Sequence, residues 1–200
     1  MFKIGLTGGI GSGKTLVSNY LKQIGVFVID TDQISRELTS IGGKAIPEIR
    51  AAFGPESIND KGSLNRIWMK NRIFLDYSEK IKLENILHPL IMEYAFIQAS
   101  NFYGSYVLFV VPLLTESKDW INKVDHICVV DCSICDQIKR VRDRDCIETE
   151  LIMKIIQSQS PRSVRLKYAD DIIYNGYDVS VDELYRQVLI KHKNWCLLSK

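Results

Sequence analysis

The residues best suited to chemistry lie near the start of the chain, where positions 8–15 read G-G-I-G-S-G-K-T. An apolar run precedes them and a helical pattern follows, the strand–loop–helix setting in which G-x-x-x-x-G-K-[ST] holds a polyphosphate. Glycines let backbone N–H groups turn towards phosphate oxygens, and the helix N-terminus adds a favourable dipole. We expect Lys14 to contact the β- and γ-phosphates of ATP and the Thr15 hydroxyl to bind Mg²⁺. The expected nucleotide contacts are Gly8, Gly9, Gly11, Ser12, Gly13, Lys14, Thr15 and Leu16.

Two carboxylates, Asp30 and Asp32, follow the second apolar run of the chain. Ligands of open α/β sheets bind at the carboxyl ends of the strands, so Asp32 is expected to face the crevice beside the glycine loop. There it would accept the proton of a substrate hydroxyl during phosphoryl transfer. The alternative is that Asp32 only caps the next helix. Asp30 is interpreted as a spacer or supporting group.

A basic run after the fourth apolar segment contains Arg140, Arg142 and Arg144. On a helix, Arg140 and Arg144 share a face and Arg142 points elsewhere. Two guanidinium groups on one face suit a lid that grips polyphosphate and stabilises the charge in transfer. The alternative is an ordinary solvated face. Arg162 and Arg165 either extend such a lid or are surface charges.

Five short apolar runs rich in β-branched residues predict the strands that position these groups. Helical segments separate them, which is typical of a parallel sheet covered by helices on both faces. Together with the glycine loop, this pattern predicts an α/β protein with the P-loop NTPase fold and a five-stranded parallel sheet. The predicted strands are Phe2–Leu6, Val26–Asp30, Tyr106–Val111, His126–Asp131 and Asp171–Tyr174.

More than 70 residues separate Asp30 from Tyr106, whereas a crossover between parallel strands needs only about a dozen. The stretch has a helical texture, and we interpret Pro89 as lying in the first turn of a helix. Residues 33–104 are therefore predicted to form an inserted, mostly helical lobe. Residues 1–32 and 105–200 would form the nucleotide-binding core, with the lid at about 140–165.

Two helices of the core are marked at their ends. The first is expected to stop at Gly25, after apolar residues at helical spacing. The last opens with Ser180 and Glu183 in an S-x-x-E capping box. Its predicted buried residues are Val181, Leu184, Tyr185 and Val188.

Composition argues against several other classes of protein. The net charge of +2 argues neither for nor against nucleic acid or a membrane as a partner. The longest apolar run has nine residues, far short of the roughly 20 that a membrane helix needs. We expect a cytoplasmic protein with no nucleic-acid, membrane or obligate protein partner. Cys132 and Cys135 form a C-x-x-C without a second ligand pair, so the five cysteines are interpreted as apolar residues in a reduced compartment.

A rival motif occurs at positions 122–125, where N-K-V-D resembles the guanine-reading N-K-x-D of GTPases. In those proteins it follows a strand, at the edge where ligands bind. Here it precedes the strand predicted at His126–Asp131, and no D-x-x-G follows the third strand. The main alternative is therefore another P-loop kinase, acting on nucleoside monophosphates or sugar acids. A GTPase agrees less well with the sequence.

Taken together, the motifs resemble the dephospho-coenzyme A kinase family over nearly the whole chain. They are L-T-G-G-I-G-S-G-K at 6–14, V-I-D-T-D at 28–32 followed by Arg36, L-N-R at 64–66, L-E-N-I-L-H-P at 83–89, V-P-L-L at 111–114, R-x-x-x-R-D at 140–145, Gln159, A-D-D-I-I at 169–173 and Asn175. The family commonly has G-K-S-T where this chain has G-K-T-L, and Thr115 also departs from its pattern.

The resemblance implies transfer of the ATP γ-phosphoryl group to the ribose 3′-hydroxyl of dephospho-coenzyme A, giving coenzyme A and ADP. Asp32 would be the base, Lys14, Arg140 and Arg144 would stabilise charge, and the inserted lobe would bind the acceptor. Asn175 would belong to the nucleotide site. The implied acceptor contacts are Asp32, Arg36, Asn65, Arg66 and His88, with Pro112, Leu113 and Leu114 walling the crevice. For His88, a purely structural role is an equal alternative.

Overall fold

The computed structural model describes residues 1–199 and divides them into two compact units. Residues 1–29 and 102–199 form the first, here called the sheet unit. Asp30–Asn101 form the second, the helical unit. None of the helices in the described range is long and apolar enough to cross a membrane.

A five-stranded parallel sheet forms the centre of the sheet unit, as predicted. The spatial order of the strands is β2-β3-β1-β4-β5, so the chain passes from β1 to the edge strand β2, returns to β3 beside β1, and then crosses to β4 and β5 on the other side of β1. Ile4 lies opposite Leu108 on one side and His126 on the other. The carboxyl end of β1 is thus the switch point at which α/β sheets bind ligands. The strands are β1 Phe2–Thr7, β2 Phe27–Asp30, β3 Tyr106–Val110, β4 His126–Asp131 and β5 Asp171–Tyr174.

Residues 1–199 contain ten α-helices, six in the sheet unit and four in the helical unit. Two short 3₁₀ turns, Pro55–Ser57 and Leu114–Glu116, supplement them. The helices are α1 Lys14–Gln23, α2 Thr31–Leu38, α3 Ile46–Phe53, α4 Arg66–Leu75, α5 Tyr77–Ser100, α6 Lys118–Ile121, α7 Ile134–Asp145, α8 Thr149–Gln157, α9 Arg162–Lys167 and α10 Val181–Leu198.

Helices α1 and α10 pack together and close the core on one face of the sheet. Leu21 of α1 and Val188 and Trp195 of α10 are fully buried there. The predicted N-cap of α10 is present, since the Ser180 hydroxyl accepts the N–H of Glu183 at 3.1 Å.

Three predicted details of α10 differ from the structure. Val181 is 66% exposed because the first helical residue points to solvent. Tyr185 is only partly buried and packs edge-on against Tyr20. The Glu183 carboxylate pairs with Arg186 at 3.3 Å, which leaves the reciprocal half of the capping box unmade.

In the helical unit, α5 packs against α2, α3 and α4. Its 24 residues enclose Pro89, which the sequence wrongly predicted in a first turn. Proline in a helix interior removes one hydrogen bond and costs about 3 kcal/mol. Buried residues on both sides of it, Leu83 and Ile86 before and Ile91 after, keep the helix continuous because their packing outweighs that cost.

Candidate active site

The glycine loop joins the end of β1 to the start of α1, so its backbone N–H groups surround the N-terminus of that helix. The first turn of α1 has no acidic residue, and its partial positive charge is therefore not compensated by the chain. Gly13 is the N-cap with φ of 101°, a conformation that other residues rarely adopt. A Cβ at Gly13 would lie 2.3 Å from the side-chain nitrogen of Asn175. Only glycine fits this cradle, and the cradle suits a polyphosphate.

Lys14 and Thr15 begin α1 and carry the groups expected to act on phosphate and magnesium. The Lys14 ammonium is half-buried and donates to the carbonyl oxygens of Gly8 at 2.6 Å and Gly9 at 3.2 Å. The Thr15 side chain is exposed, which suits a hydroxyl that would bind Mg²⁺. Leu16 is also exposed, at 39%. Ser12 is fully buried, and its hydroxyl has no hydrogen-bond partner within residues 1–199.

Asn175, which follows β5 directly, supports the loop from below. It is buried and its amide donates to the Ser12 carbonyl at 2.8 Å. The family resemblance named Asn175 as a nucleotide-site residue. The structure shows it holding the backbone of the glycine loop.

Helix α7 and the segment after α8 also contact the glycine loop. Arg140 donates to the Gly11 carbonyl at 3.4 Å and to the Gly176 carbonyl at 3.5 Å. Gln159 accepts the backbone N–H of Ile10 at 3.0 Å. Gln137 lies so close to the loop that a Cβ at Gly9 would be 2.2 Å from its side-chain nitrogen. Gln137 is not among the site residues predicted from the sequence, although its i, i+3 spacing from Arg140 places both on one face of α7.

The three arginines of α7 have different surroundings. Arg144 is exposed and forms two hydrogen bonds, of 2.7 and 2.8 Å, with the adjacent Asp145. This bond raises the pKa of Arg144 and lowers the pKa of Asp145. Arg142 is exposed and lies 3.6 Å from Asp143. Of the three, only Arg140 reaches the glycine loop in this structure.

Arg162 and Arg165 belong to α9, beyond the proline that follows α8. Arg162 binds the buried carboxylate of Asp131, the last residue of β4, with contacts of 2.6 and 2.8 Å. This hydrogen bond raises the pKa of Arg162. Arg165 is only 6% exposed and lies against Gly9, so it is not a surface charge.

The carboxylates after β2 have distinct roles in the helical unit. Asp30 is the N-cap of α2, and its oxygen accepts the N–H of Asp32 at 2.9 Å and of Gln33 at 3.3 Å. The capping role considered for Asp32 therefore belongs to Asp30. Asp32 and Arg36 are both exposed and lie one helical turn apart on α2.

The other acceptor candidates of the helical unit lie at the start of α4 and within α5. Asn65 caps α4 by accepting the N–H of Trp68 at 3.2 Å. Arg66 donates to the Thr39 hydroxyl at 3.0 Å. The His88 imidazole is exposed and makes none of the hydrogen bonds found in residues 1–199.

Pro112, Leu113 and Leu114 follow β3 in the sheet unit. The Pro112 carbonyl accepts the Thr7 hydroxyl at 3.1 Å. Leu114 is fully buried, and a Cβ at Gly5 would lie 2.3 Å from it, so Leu114 packs on β1 as core. Leu113 is 40% exposed.

The cysteines show no arrangement for metal binding. Within residues 1–199 no three histidine, cysteine, aspartate or glutamate side chains are grouped to hold an ion. Cys132 is buried, and this burial raises the pKa of its thiol to about 11. Cys135 is exposed.

Comparison with known proteins gives consistent matches. The family model described as dephospho-CoA kinase matches residues 2–180. The dephospho-CoA kinase of Bordetella avium is 44% identical over 199 residues, covering all of this chain and 93% of its own. That of Nitrosospira multiformis is 42% identical over 200 residues, covering all of this chain and 99% of its own.

Solved structures agree with the fold. The Thermus thermophilus protein TT1252 has a TM-score of 0.85 at 25% identity, and the match covers 96% of each chain. The dephospho-CoA kinase from Campylobacter jejuni has a TM-score of 0.69 at 21% identity, covering 99% of this chain and 98% of its own.

Proposed function

The chain belongs to the dephospho-CoA kinase family, and we propose that it transfers the γ-phosphoryl group of ATP to the ribose 3′-hydroxyl of dephospho-CoA. The products are CoA and ADP. One observation carries this proposal: relatives bearing that name are 42–44% identical along the entire chain. The geometry of the glycine loop supports it, because Lys14 and Arg140 converge on a backbone cradle built for polyphosphate.

The nucleotide is held by the backbone of residues 8–15, with its negative charge balanced by Lys14, Arg140 and the N-terminus of α1. Asn175 and Gln159 keep the loop in shape through their bonds to Ser12 and Ile10. We assign Mg²⁺ to the Thr15 hydroxyl, where the ion would neutralise phosphate charge. Arg144 is a third charge-stabilising side chain once its bond to Asp145 is exchanged for phosphate.

Asp32 is the proposed base. Because Asp30 accepts the N–H groups at the start of α2, the Asp32 carboxylate is not needed for the cap. The ribose 3′-oxygen attacks the γ-phosphorus while its proton passes to Asp32. The bond from that phosphorus to the β–γ bridging oxygen breaks, and ADP leaves with the bonding electrons.

The helical unit is the proposed acceptor lobe. Arg36 and Arg66 supply positive charge for the diphosphate of dephospho-CoA, His88 offers an exposed imidazole, and Asn65 holds α4 in position through its cap. We also expect the enzyme to act in the cytoplasm without a nucleic-acid, membrane or obligate protein partner.

A coupled assay of ADP release tests the substrate assignment. Dephospho-CoA, nucleoside monophosphates, gluconate and shikimate are compared as acceptors, with Lys14→Ala as the inactive control. We expect turnover with dephospho-CoA alone and a product that carries its new phosphate on the 3′-oxygen by ³¹P NMR. Turnover of another acceptor and not of dephospho-CoA would overturn the proposal. Tight GTP binding without turnover of any acceptor would favour the GTPase alternative.

A further inference from the structure

A cavity of about 310 Å³ lies beside the glycine loop, within the sheet unit. Its lining includes Cys132, Gln137 and Ile156, together with Gln159 and Arg165. Gln159 also binds the Ile10 N–H, and both Gln137 and Arg165 lie against Gly9. The cavity therefore shares its polar residues with the loop that cradles phosphate.

Arg165 is the buried cation of this cavity, with only 6% of the residue exposed. Of the five N–H donors of a guanidinium group, one is accounted for by a bond to the Ser160 carbonyl. In residues 1–199 no carboxylate lies within ion-pair distance of Arg165. Burial without such a partner lowers the pKa of this guanidinium.

The two carboxylates whose charge acts on Arg165, those of Glu116 and Asp131, already have hydrogen-bond partners. Asp131 binds Arg162 through both of its oxygens. Glu116 accepts the N–H of Ser160 at 2.7 Å and the Thr115 hydroxyl at 3.0 Å. Burying a charged group without a counter-ion costs folding free energy. A buried arginine beside a cavity therefore points to an anion that binds there and offsets this cost.

The position of Arg165 beside the glycine loop indicates that the bound anion is a phosphate group. A Cβ at Gly9 would lie 3.0 Å from a terminal nitrogen of Arg165. The guanidinium group thus lies against the backbone whose curve receives phosphate. Planar guanidinium groups bind phosphate oxygens with two parallel hydrogen bonds.

We propose that Arg165 binds a phosphoryl oxygen of a substrate that enters the cavity beside Gly9, as a further cation of the site in addition to Lys14, Arg140 and Arg144. The phosphoryl group belongs either to the γ-position of ATP or to the diphosphate of the acceptor. This inference rests on the proposed function only for the identity of that acceptor. The contrasting possibility is that Arg165 only fixes the Ser160 carbonyl.

Isothermal titration calorimetry on the Arg165→Gln protein separates phosphate binding from a purely structural role. ATP, ADP and dephospho-CoA are titrated singly into the folded variant, and unfolding temperatures are recorded beside them. Lys167→Ala, which removes an exposed cation from the same helix, is the matched control and should leave every value unchanged. Loss of a charged hydrogen bond predicts a Kd raised about 10- to 100-fold for one ligand.

The pattern of losses identifies the source of the phosphate. Weaker binding of ATP with unchanged ADP assigns the γ-phosphoryl group, and weaker binding of dephospho-CoA with unchanged ATP assigns the acceptor diphosphate. Unchanged Kd values for all three ligands, or equal losses for all three, would overturn the proposal in favour of a structural role. If Arg165→Gln does not fold, Arg165→Lys keeps the charge and decides by the same ligand pattern with smaller losses.

Different results would refute the proposed function and the role proposed for Arg165. Wild-type protein that does not turn over dephospho-CoA refutes the function. The ATP and ADP titrations still test Arg165 in that case, because they do not involve the acceptor.

Discussion

The side-chain amide of Asn175 donates to the backbone carbonyl of Ser12 at 2.8 Å, although 163 residues separate the two in the chain. Both residues are buried. The same amide nitrogen would lie 2.3 Å from a Cβ at Gly13. The residue after β5 therefore fixes the curve of the glycine loop directly beneath the proposed phosphate site.

Asn175→Ala should weaken both this loop and nucleotide binding. It leaves the buried Ser12 carbonyl without its side-chain donor, which costs about 1–3 kcal/mol of unfolding free energy. Urea denaturation and ATP titration measure the two effects. The exposed Asn19 of α1 provides the control Asn19→Ala, for which changes within about 0.5 kcal/mol are expected. An Asn175→Ala protein with wild-type ATP affinity would contradict the supporting role.

Lys14→Ala should lower turnover by about 10²–10³-fold, the usual effect of removing one group that stabilises transition-state charge. The fold should remain intact, because the Lys14 ammonium donates to carbonyl oxygens of the glycine loop. Turnover and circular dichroism are compared with Lys22→Ala, an exposed lysine of the same helix. Near-normal turnover in a folded Lys14→Ala protein would remove the glycine loop from the mechanism.

Replacing Arg140 or Arg144 by alanine should reduce kcat strongly, and Arg142→Ala should change it little. Arg140 already contacts the glycine loop, and Arg144 follows one turn later on α7. Arg142 projects elsewhere beside Asp143. Steady-state kinetics on the three variants check this ranking. Equal sensitivity of Arg142 would show that helix position does not select the functional arginines.

Asp32→Asn should lower turnover by about 10²–10⁴-fold, the range for a positioned acid–base group. ATP affinity and stability should barely change, since the Asp30 side chain makes the cap of α2.

Asp30→Ala is the matched variant and should lose about 1 kcal/mol of stability. Turnover, ATP affinity and unfolding temperature are measured for both variants. Together they distinguish a catalytic base at Asp32 from a helix cap at Asp30. An Asp32→Asn enzyme with normal turnover would leave Asp30 as the next carboxylate to test.

Asp171 connects the start of β5 to α10, far along the chain from the glycine loop. Its carboxylate accepts hydrogen bonds from His126 and Trp195, each at 2.8 Å, and from Lys191. Asp171→Asn should therefore cost about 2–3 kcal/mol of unfolding free energy at neutral pH, since hydrogen bonds to a charged group are lost. Glu183→Gln, which affects only an exposed pair with Arg186, should cost less than about 1 kcal/mol.

The same carboxylate sets an acid limit on stability. Burial raises the pKa of Asp171, but the bonds from Lys191, His126 and Trp195 outweigh burial and lower it below 3.8. The folded state thus binds this proton more weakly than the unfolded state, and stability falls as the pH falls. The advantage of wild type over Asp171→Asn should persist above about pH 4 and shrink below it. Urea titrations between pH 7 and pH 3 measure it, and a constant difference would refute the assignment.

The sequence by itself determined the strands, the glycine loop and the arginine-bearing α7. Each of these features is encoded in neighbouring residues: an apolar run, a glycine pattern before a helix, or a spacing of four on one helix face. His126–Asp131 and Asp171–Tyr174 match the predicted bounds, because Asp and turn residues delimit both runs.

Only the tertiary structure decided which side chains meet the loop. Asn175, Gln137 and Arg165 reach it from segments more than a hundred residues away, and no local spacing records such a contact. Packing also overrode local preference at Pro89, which the buried faces of α5 hold inside a helix. Burial and pairing are properties of the whole fold, so the environments of Arg162 and Arg165, one ion-paired and one buried beside Gly9, became distinct only once the chain was folded.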